Sequence, residues 1–312
     1  MNLDAARLSL EGLSVGDAFG EQLLHIGPQA RAIALTHRTE PHGRIWKWTD
    51  DTAMAISIVD ELAAHPSEIE FMLPGETTEA KGIWRAHIDP TSLAQRFARR
   101  YMAEPARGYG AGAHQVLQAI SEGDSWELAA KRLFNGEGSK GNGAAMRVAP
   151  IGACFAGDRD KADLHATLSS FPTHLHFEAI AGATAVASVA SAVFLGERDP
   201  HALLALAKGG CIDETIHGKL SRAMTMIGVD HVTVAAELGN GSRVLASDTV
   251  PFAIWCAVTH LDDFAEACWC CVEVGGDIDT TCAMVGGIVV GAVGLEGIPA
   301  TWRASREPLP AV

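Results

Sequence analysis

Apolar residues recur at steps of three and four through most of the chain, the spacing that places them on one face of a helical turn. The pattern predicts helices over residues 2–20, 51–65, 91–104, 110–121, 125–134, 143–156 and 160–170. It continues over 176–195, 200–208, 213–227, 231–238, 248–259, 262–273 and 279–294. Start signals accompany several of them: Asp158 precedes "RDKADLHATL", Asp199-Pro200 precedes "HALLALA", and Asp89-Pro90 precedes "TSLAQRFARRY". In each, a capping side chain or a proline that needs no N–H donor stands where a helix begins. The only strand candidates are "RAIALTH" and "GRIWKW", expected to form a small hairpin around Pro41-His42-Gly43. The polar stretch "HPSEIEFMLPGETTEAKG" reads as a surface loop, and the tail after Pro299 is expected to be loosely held. No fixed-period repeat, low-complexity tract or linker interrupts the pattern. The expected architecture is all-α, one domain over residues 1–312 with at most a minor β-hairpin.

Composition narrows the class. The chain has 312 residues, 48% hydrophobic and 20% charged, which is a globular profile with ample core. Its 32 glycines let helix backbones approach closely, in keeping with a compact helical domain. The formal charge is −14, from 38 acidic and 24 basic residues, which argues against a dedicated nucleic-acid binder. Small phosphorylated ligands stay open, because a metal can supply the missing positive charge. Seven scattered cysteines, an odd number, suit a reducing cytoplasm. Cys268 and Cys271 of "CWCC" would share a helix face, but no second ligand pair accompanies them, so they read as buried core thiols. The start "MNLDAARLSLEGLSVGDAFG" lacks the basic and uninterrupted apolar parts of a signal peptide. The run "AMVGGIVVGAVGL" is too short and glycine-rich for a membrane span and reads as a buried helix.

Two acidic stretches carry the candidate chemistry. In "WTDDTAM", Thr49 can cap a helix, and Asp50 and Asp51 in its first turn complement the helix dipole. Alone, that stretch needs no function beyond capping. In "VGGDIDTTCAMVGG", Asp277, Asp279 and Thr280 again precede an apolar, small-residue helix, with Gly275 and Gly276 allowing unusual backbone angles upstream. If the two helix starts met, their four carboxylates would repel unless cations neutralised them. Two hard divalent ions bound by carboxylate and hydroxyl oxygens would satisfy that arrangement. A third stretch, "SKGNGAAMRVAP", has glycines that let backbone N–H groups face a phosphate, and the helix start after it adds its dipole. By itself it could equally be a turn into a helix.

In chain order, "GLSVGDAFG", "WTDDTAMA", "GNGAAMRVAPIG", "THLHFEAIAGA" and "GGDIDTT" resemble the ADP-ribosylglycohydrolase family. That family includes dinitrogenase-reductase-activating glycohydrolase and the ADP-ribosyl-acceptor hydrolases, and the resemblance runs from about Gly12 to Gly294. It implies a compact, orthogonal multi-helix fold with a cleft holding two Mg²⁺ or Mn²⁺ ions. The metal ligands carried over are Thr49, Asp50, Asp51, Asp277, Asp279 and Thr280. Ser139, Gly141, Asn142, Gly143 and Met146 look like the lining of an ADP-ribose site, and Phe134 falls where some relatives stack adenine. His174 matches a family histidine near the substrate, and Tyr109 borders the cleft or is a core tyrosine. Glu21 is the candidate for a family glutamate that gates the cleft, although it follows Gly20 immediately where relatives place it a few residues later. Asp17 is either a partner of the ligands or an early helix acid. The implied activity is metal-dependent hydrolysis of the glycosidic bond between ADP-ribose and a protein side chain or small acceptor, with Asp50, Asp51, Asp279 and Glu21 in catalytic roles. The alternatives are a catalytically silent ADP-ribose binder or structural relative, and a binuclear-metal hydrolase of another nucleotide or phosphoester.

Overall fold

The computed structural model describes residues 1–42, 45–73 and 83–310. Its helices in chain order are α1 (Leu3–His25), α2 (Pro28–His37), α3 (Asp50–Ala64), α4 (Pro90–Ala103), α5 (Ala111–Ser121) and α6 (Trp126–Arg132). Then come α7 (Ala149–Cys154), α8 (Arg159–Ser170), α9 (Phe177–Leu195), α10 (Pro200–Gly209) and α11 (Glu214–Met224). The last are α12 (His231–Leu238), α13 (Ala246–Thr259), α14 (Phe264–Val274), α15 (Ile278–Val293) and α16 (Ala300–Ser305). Strands β1 (Ile69–Phe71) and β2 (Trp84–Ala86) pair antiparallel, Ile69 opposite Ala86 and Phe71 opposite Trp84.

Small residues set the centre of this all-α fold. Gly12, Gly16 and Gly20 form one stripe of α1 at four-residue steps. Against it lies α15, running the opposite way. A Cβ on Gly12 would overlap the Gly286 carbonyl oxygen, one on Gly16 that of Cys282, and one on Gly20 that of Ile278. Nothing larger than hydrogen fits, so the two backbones meet along a seam. The seam draws the start of α15 to the C-terminal half of α1.

Most buried apolar residues join one hydrophobic cluster. Among the described residues one helix, Phe177–Leu195, is long and apolar enough to cross a membrane, but 78% of its apolar window is buried in the fold. Its partners include α7, where Gly152 sits against the Ala187 carbonyl. The tail does not behave as the sequence leads one to expect. Trp302 of α16 is buried and stacks on Phe19 with ring centroids 3.8 Å apart. The Glu307 N–H then donates to the Trp46 carbonyl at 2.8 Å, so the segment from Ala300 to Glu307 is docked.

The hairpin expectation also fails. "RAIALTH" is helical: Pro28 opens α2, and Arg38 closes it in the left-handed conformation at φ 47°. Only Ala34 of this helix is buried, which leaves too faint an apolar stripe to reveal the period. In "GRIWKW", Trp46 bridges instead to Arg306; Gly43 lies outside the described residues. Strand β1 falls within the stretch read as a loop, whose residues 74–82 are likewise outside the described set, and β2 begins just after that stretch. The expected helix 125–134 stops at Arg132, and 143–156 divides into a 3-10 turn, Asn142–Ala144, and α7.

Candidate active site

Thr49 is the N-cap of α3, its hydroxyl 3.3 Å from the Asp51 N–H and donating to Asp51 Oδ2 at 3.0 Å. Behind it stands Asp17 of α1, fully buried. Its carboxylate accepts from the Thr49 N–H at 2.9 Å, the Thr52 N–H at 3.1 Å and the Thr52 hydroxyl at 2.5 Å. One aspartate therefore fastens the start of α3 to α1, one residue from Gly16 and three from Gly20 of the seam. Of the two roles open for Asp17, the structure assigns the partner of the acidic motif.

The start of α15 is built differently. Gly275 and Gly276 have φ of 69° and 82°, and a Cβ on Gly276 would overlap the Asn240 carbonyl oxygen. Asp277 is the N-cap residue but makes no side-chain cap bond; its Oδ2 accepts from Asn142 Nδ2 at 2.7 Å. The two helix starts meet: the Thr280 hydroxyl lies 3.5 Å from Asp51 Oδ2 across 229 residues of sequence.

Gathering these acids has an electrostatic consequence. Burial, then the charges of Asp279 and Asp17, push Asp50 well above the usual carboxylate range. Burial, then Asp17 and Asp279, do the same to Asp51. Burial, with the Asp279 charge adding to it, raises Asp17 and Asp277 to about 7. Asp51 Oδ1 and Asp279 Oδ1 are buried without any hydrogen-bond partner. Unpartnered carboxylate oxygens in a cluster of like charge are what hard, oxygen-seeking cations bind, and Thr49, Asp50, Asp51, Asp277, Asp279 and Thr280 could hold them.

These acids line a cleft of about 640 Å³ whose other walls include Phe134, Ser139, Gly141, Asn142, Gly143 and His174. The Ser139 hydroxyl accepts from the Gly141 N–H at 3.1 Å, and the Asn142 N–H donates to the Val244 carbonyl at 3.2 Å, joining two loops. The glycines have a second reason to be there. A Cβ on Gly143 would lie 2.9 Å from His174 Cε1, and one on Gly141 3.3 Å from its Nε2, so the imidazole rests directly on the loop. His174 Nδ1 is 2.7 Å from the Thr173 hydroxyl, which accepts from Arg147 Nη2 at 2.9 Å. Burial, then the Arg147 charge, lowers His174 to about 3, so it is neutral. Phe134 has φ 50° and is 62% exposed, an aromatic ring held at the cleft edge in a conformation its side chain disfavours.

The family model described as ADP-ribosylglycohydrolase matches residues 2–309. The chain belongs to the ADP-ribosylglycohydrolase family. Within reach of it in sequence is ADP-ribosylhydrolase ARH3 of Mus musculus, 30% identical over 293 residues, 83% of this chain and 73% of the mouse protein. A protein of Archaeoglobus fulgidus is 28% identical over 302 residues, covering 93% of this chain and 88% of its own. A solved structure titled ADP-ribosylglycohydrolase-related protein complex has the same fold, with TM-score 0.65, 23% identity, and coverage of 98% of this chain and 93% of that one.

The fold brings most candidate residues together in the cleft, with Thr49 behind its wall and Glu21 outside. Glu21 does not line the cleft; its Oε1 pairs with His25 Nε2 at 2.8 Å, one helical turn along α1. Met146 lines the cleft and is buried, while Tyr109 is buried with its ring edge-on to Tyr101 at 5.1 Å, the core alternative. Among the cleft residues that the sequence reading did not anticipate are Arg147, Arg243 and Val244. Arg147 is fully buried, with its guanidinium 4.4 Å above the Phe97 ring and no carboxylate in hydrogen-bond contact. Burial lowers it to about 9, opposed by the nearby Asp50 charge. Its position in "GNGAAMR", directly after the glycine loop, was the available signal. Val244 has φ 56°, strained for a β-branched residue, and sequence carries no mark of that.

Proposed function

We propose that the cleft hydrolyses the glycosidic bond between ADP-ribose and an acceptor, either an ADP-ribosylated protein side chain or a small ADP-ribosyl compound. Two divalent cations, Mg²⁺ or Mn²⁺, are its cofactors. The observation that carries this proposal is the meeting of Asp50, Asp51, Asp277 and Asp279 in one cleft beside the glycine loop. The relatives named ADP-ribosylhydrolase support the substrate class.

Thr49, Asp50 and Asp51 hold the ions from the α3 side, and Asp277, Asp279 and Thr280 from the α15 side. Bound there, the ions supply neutralising charge and Lewis acidity at the ribose oxygens. A carboxylate oxygen of Asp50, Asp51 or Asp279 left free accepts the proton of the attacking water. As the bond to the leaving group lengthens, positive charge grows on the ribose, and the same carboxylates stabilise it.

The remaining residues bind and orient. A guanidinium can only donate, so Thr173 accepts from Arg147 and has its own O–H to give to His174 Nδ1. The imidazole proton then sits on Nε2, the nitrogen beside the glycine loop, where it donates to a diphosphate oxygen. Phe134 offers its exposed face to the adenine, and Ser139, Gly141, Asn142, Gly143 and Met146 line the path between. All seven cysteines are unpaired, which supports a reducing compartment such as the cytoplasm.

The test is release of ADP-ribose, followed by mass spectrometry, from ADP-ribosyl-serine and ADP-ribosyl-arginine peptides with Mg²⁺, Mn²⁺ or chelator. Release that needs metal is expected from at least one substrate. No release from either peptide or from free ADP-ribosyl-arginine, with both metals supplied, would reject the proposal, and hydrolysis of a simple phosphoester instead would mark a different binuclear hydrolase.

A further inference from the structure

Outside the cleft, His260, Glu266 and Cys270 bring one ring nitrogen, one carboxylate oxygen and one sulfur within 4.8 Å of one another. Cys270 belongs to the "CWCC" stretch, but it is not one of the C-x-x-C pair. Cys268 and Cys271 point into the core, with no exposed surface. Cys270 Sγ lies 3.9 Å from His260 Nε2 and 3.9 Å from Glu266 Oε1. Nitrogen, oxygen and sulfur ligands around a tetrahedral zinc ion stand roughly 3.5 Å apart, so only a modest side-chain closure separates this arrangement from a bound one.

Both polar ligands are oriented from behind. His260 Nδ1 is 3.2 Å from the Cys256 carbonyl, which can only accept, and 3.0 Å from the Thr259 hydroxyl, whose own proton goes to the Trp255 carbonyl at 2.7 Å. Nδ1 therefore carries the proton, and the Nε2 lone pair faces the thiol. Glu266 gives Oε2 to the Arg38 guanidinium, which leaves Oε1 turned towards Cys270. Outer hydrogen bonds of this kind fix the ring and carboxylate in metal sites. Cys270 is buried, whereas His260 and Glu266 are half-exposed, so a fourth position opens to water. The mixed sulfur, nitrogen and oxygen set suits a borderline-soft ion such as Zn²⁺ better than Mg²⁺.

We infer that His260, Glu266 and Cys270 form a site for a zinc-class divalent cation, distinct from the acidic cleft. None of the three lines that cleft. On binding, the thiol proton leaves to solvent and the sulfur–metal bond forms. Thiolate and carboxylate then balance the 2+ charge. The ion ties the end of α13 to the first turns of α14.

The test is a titration of the full-length protein with Co²⁺, followed by back-titration with Zn²⁺. One equivalent of thiolate-to-cobalt charge-transfer absorption is expected, displaced by Zn²⁺. Cobalt held in the cleft by oxygen atoms gives no such band. The band should vanish in Cys270→Ser, weaken in His260→Ala and Glu266→Gln, and persist in Asp279→Asn and Cys211→Ser. Absence of the band in the wild type, or its survival in Cys270→Ser, overturns the site. Circular dichroism establishes that each variant is folded; if Cys270→Ser is not, His260→Ala and Glu266→Gln decide, and an undiminished band in both has the same force.

Discussion

The starts of α3 and α15 share a formula, two aspartates and a threonine ahead of an apolar helix, yet they are held in opposite ways. At α3 the restraint is local and rigid: Thr49 caps its own helix, and Asp17 grips Thr49 and Thr52 from α1. At α15 the N-cap residue makes no cap bond, and Asp277 is held instead by Asn142 of the glycine loop. The α3 half of the centre is therefore set by the scaffold, while the α15 half is set by a loop of the cleft wall. A ligand that presses on that loop acts on one half of the acid cluster and not on the other.

This asymmetry can be broken from either side. Asp51→Asn or Asp279→Asn should reduce ADP-ribose release to background, because each deletes an unpartnered oxygen at the meeting point. In chelator the same variants should melt higher than wild type, since one repelling charge is gone. Retained turnover in a folded, metal-supplied variant would remove these residues from the machinery. Asp17→Ala strips the acceptor from three donors and should destabilise by about 1–3 kcal/mol for each donor left buried and unmet. Its turnover should fall further than that of Asn142→Ala, for which a loss of roughly 10–100-fold in metal affinity is expected, as for other groups that orient ligands. Equal effects would mean that the two halves are not held differently.

Proton linkage gives a subtler reading. Asp17 and Asp277 rise from 3.8 to about 7 on folding, so the folded chain holds these protons more tightly than the unfolded one. Stability present below the lower value is lost as pH climbs through the upper one. The melting temperature of chelated protein should thus fall between about pH 4 and 7, and Mg²⁺ should restore it at the upper end. A flat profile in chelator would contradict the electrostatic account. The smallest effect is expected from Glu21→Gln, which loses a half-exposed pair with His25 and should shift stability by under about 0.5 kcal/mol. Turnover should stay near wild type, and a collapse would put Glu21 back among the catalytic groups.

Helices with a buried stripe were legible in the chain, and so was the cap at Thr49. What escaped had little or no stripe to show. α2 buries a single alanine, and its one clear mark was Pro28 at the first turn. α16 is a short helix fixed by one residue, Trp302, in an aromatic cluster built from distant parts of the chain. β1 and β2 have three residues each, too few for a period. The acidic motifs were legible as motifs, but their meeting depends on the seam between α1 and α15, which spacing within either helix does not reveal. Asp17 stayed open between a partner of the ligands and an early helix acid because its own partners, Thr49 and Thr52, lie beyond α2.

That seam also dictates an order of assembly. The glycine stripe of α1 is made well over 200 residues before the helix that fills it, α15 at Ile278–Val293. At ordinary rates of synthesis α1 waits on the order of tens of seconds for its partner, with a bare channel of backbone open along its side. Until α15 arrives, Asp51 has no Thr280 beside it. The acid cluster thus forms only once α15 has been made, and a chain cut short before α15 carries half of the cluster and an unfilled slot.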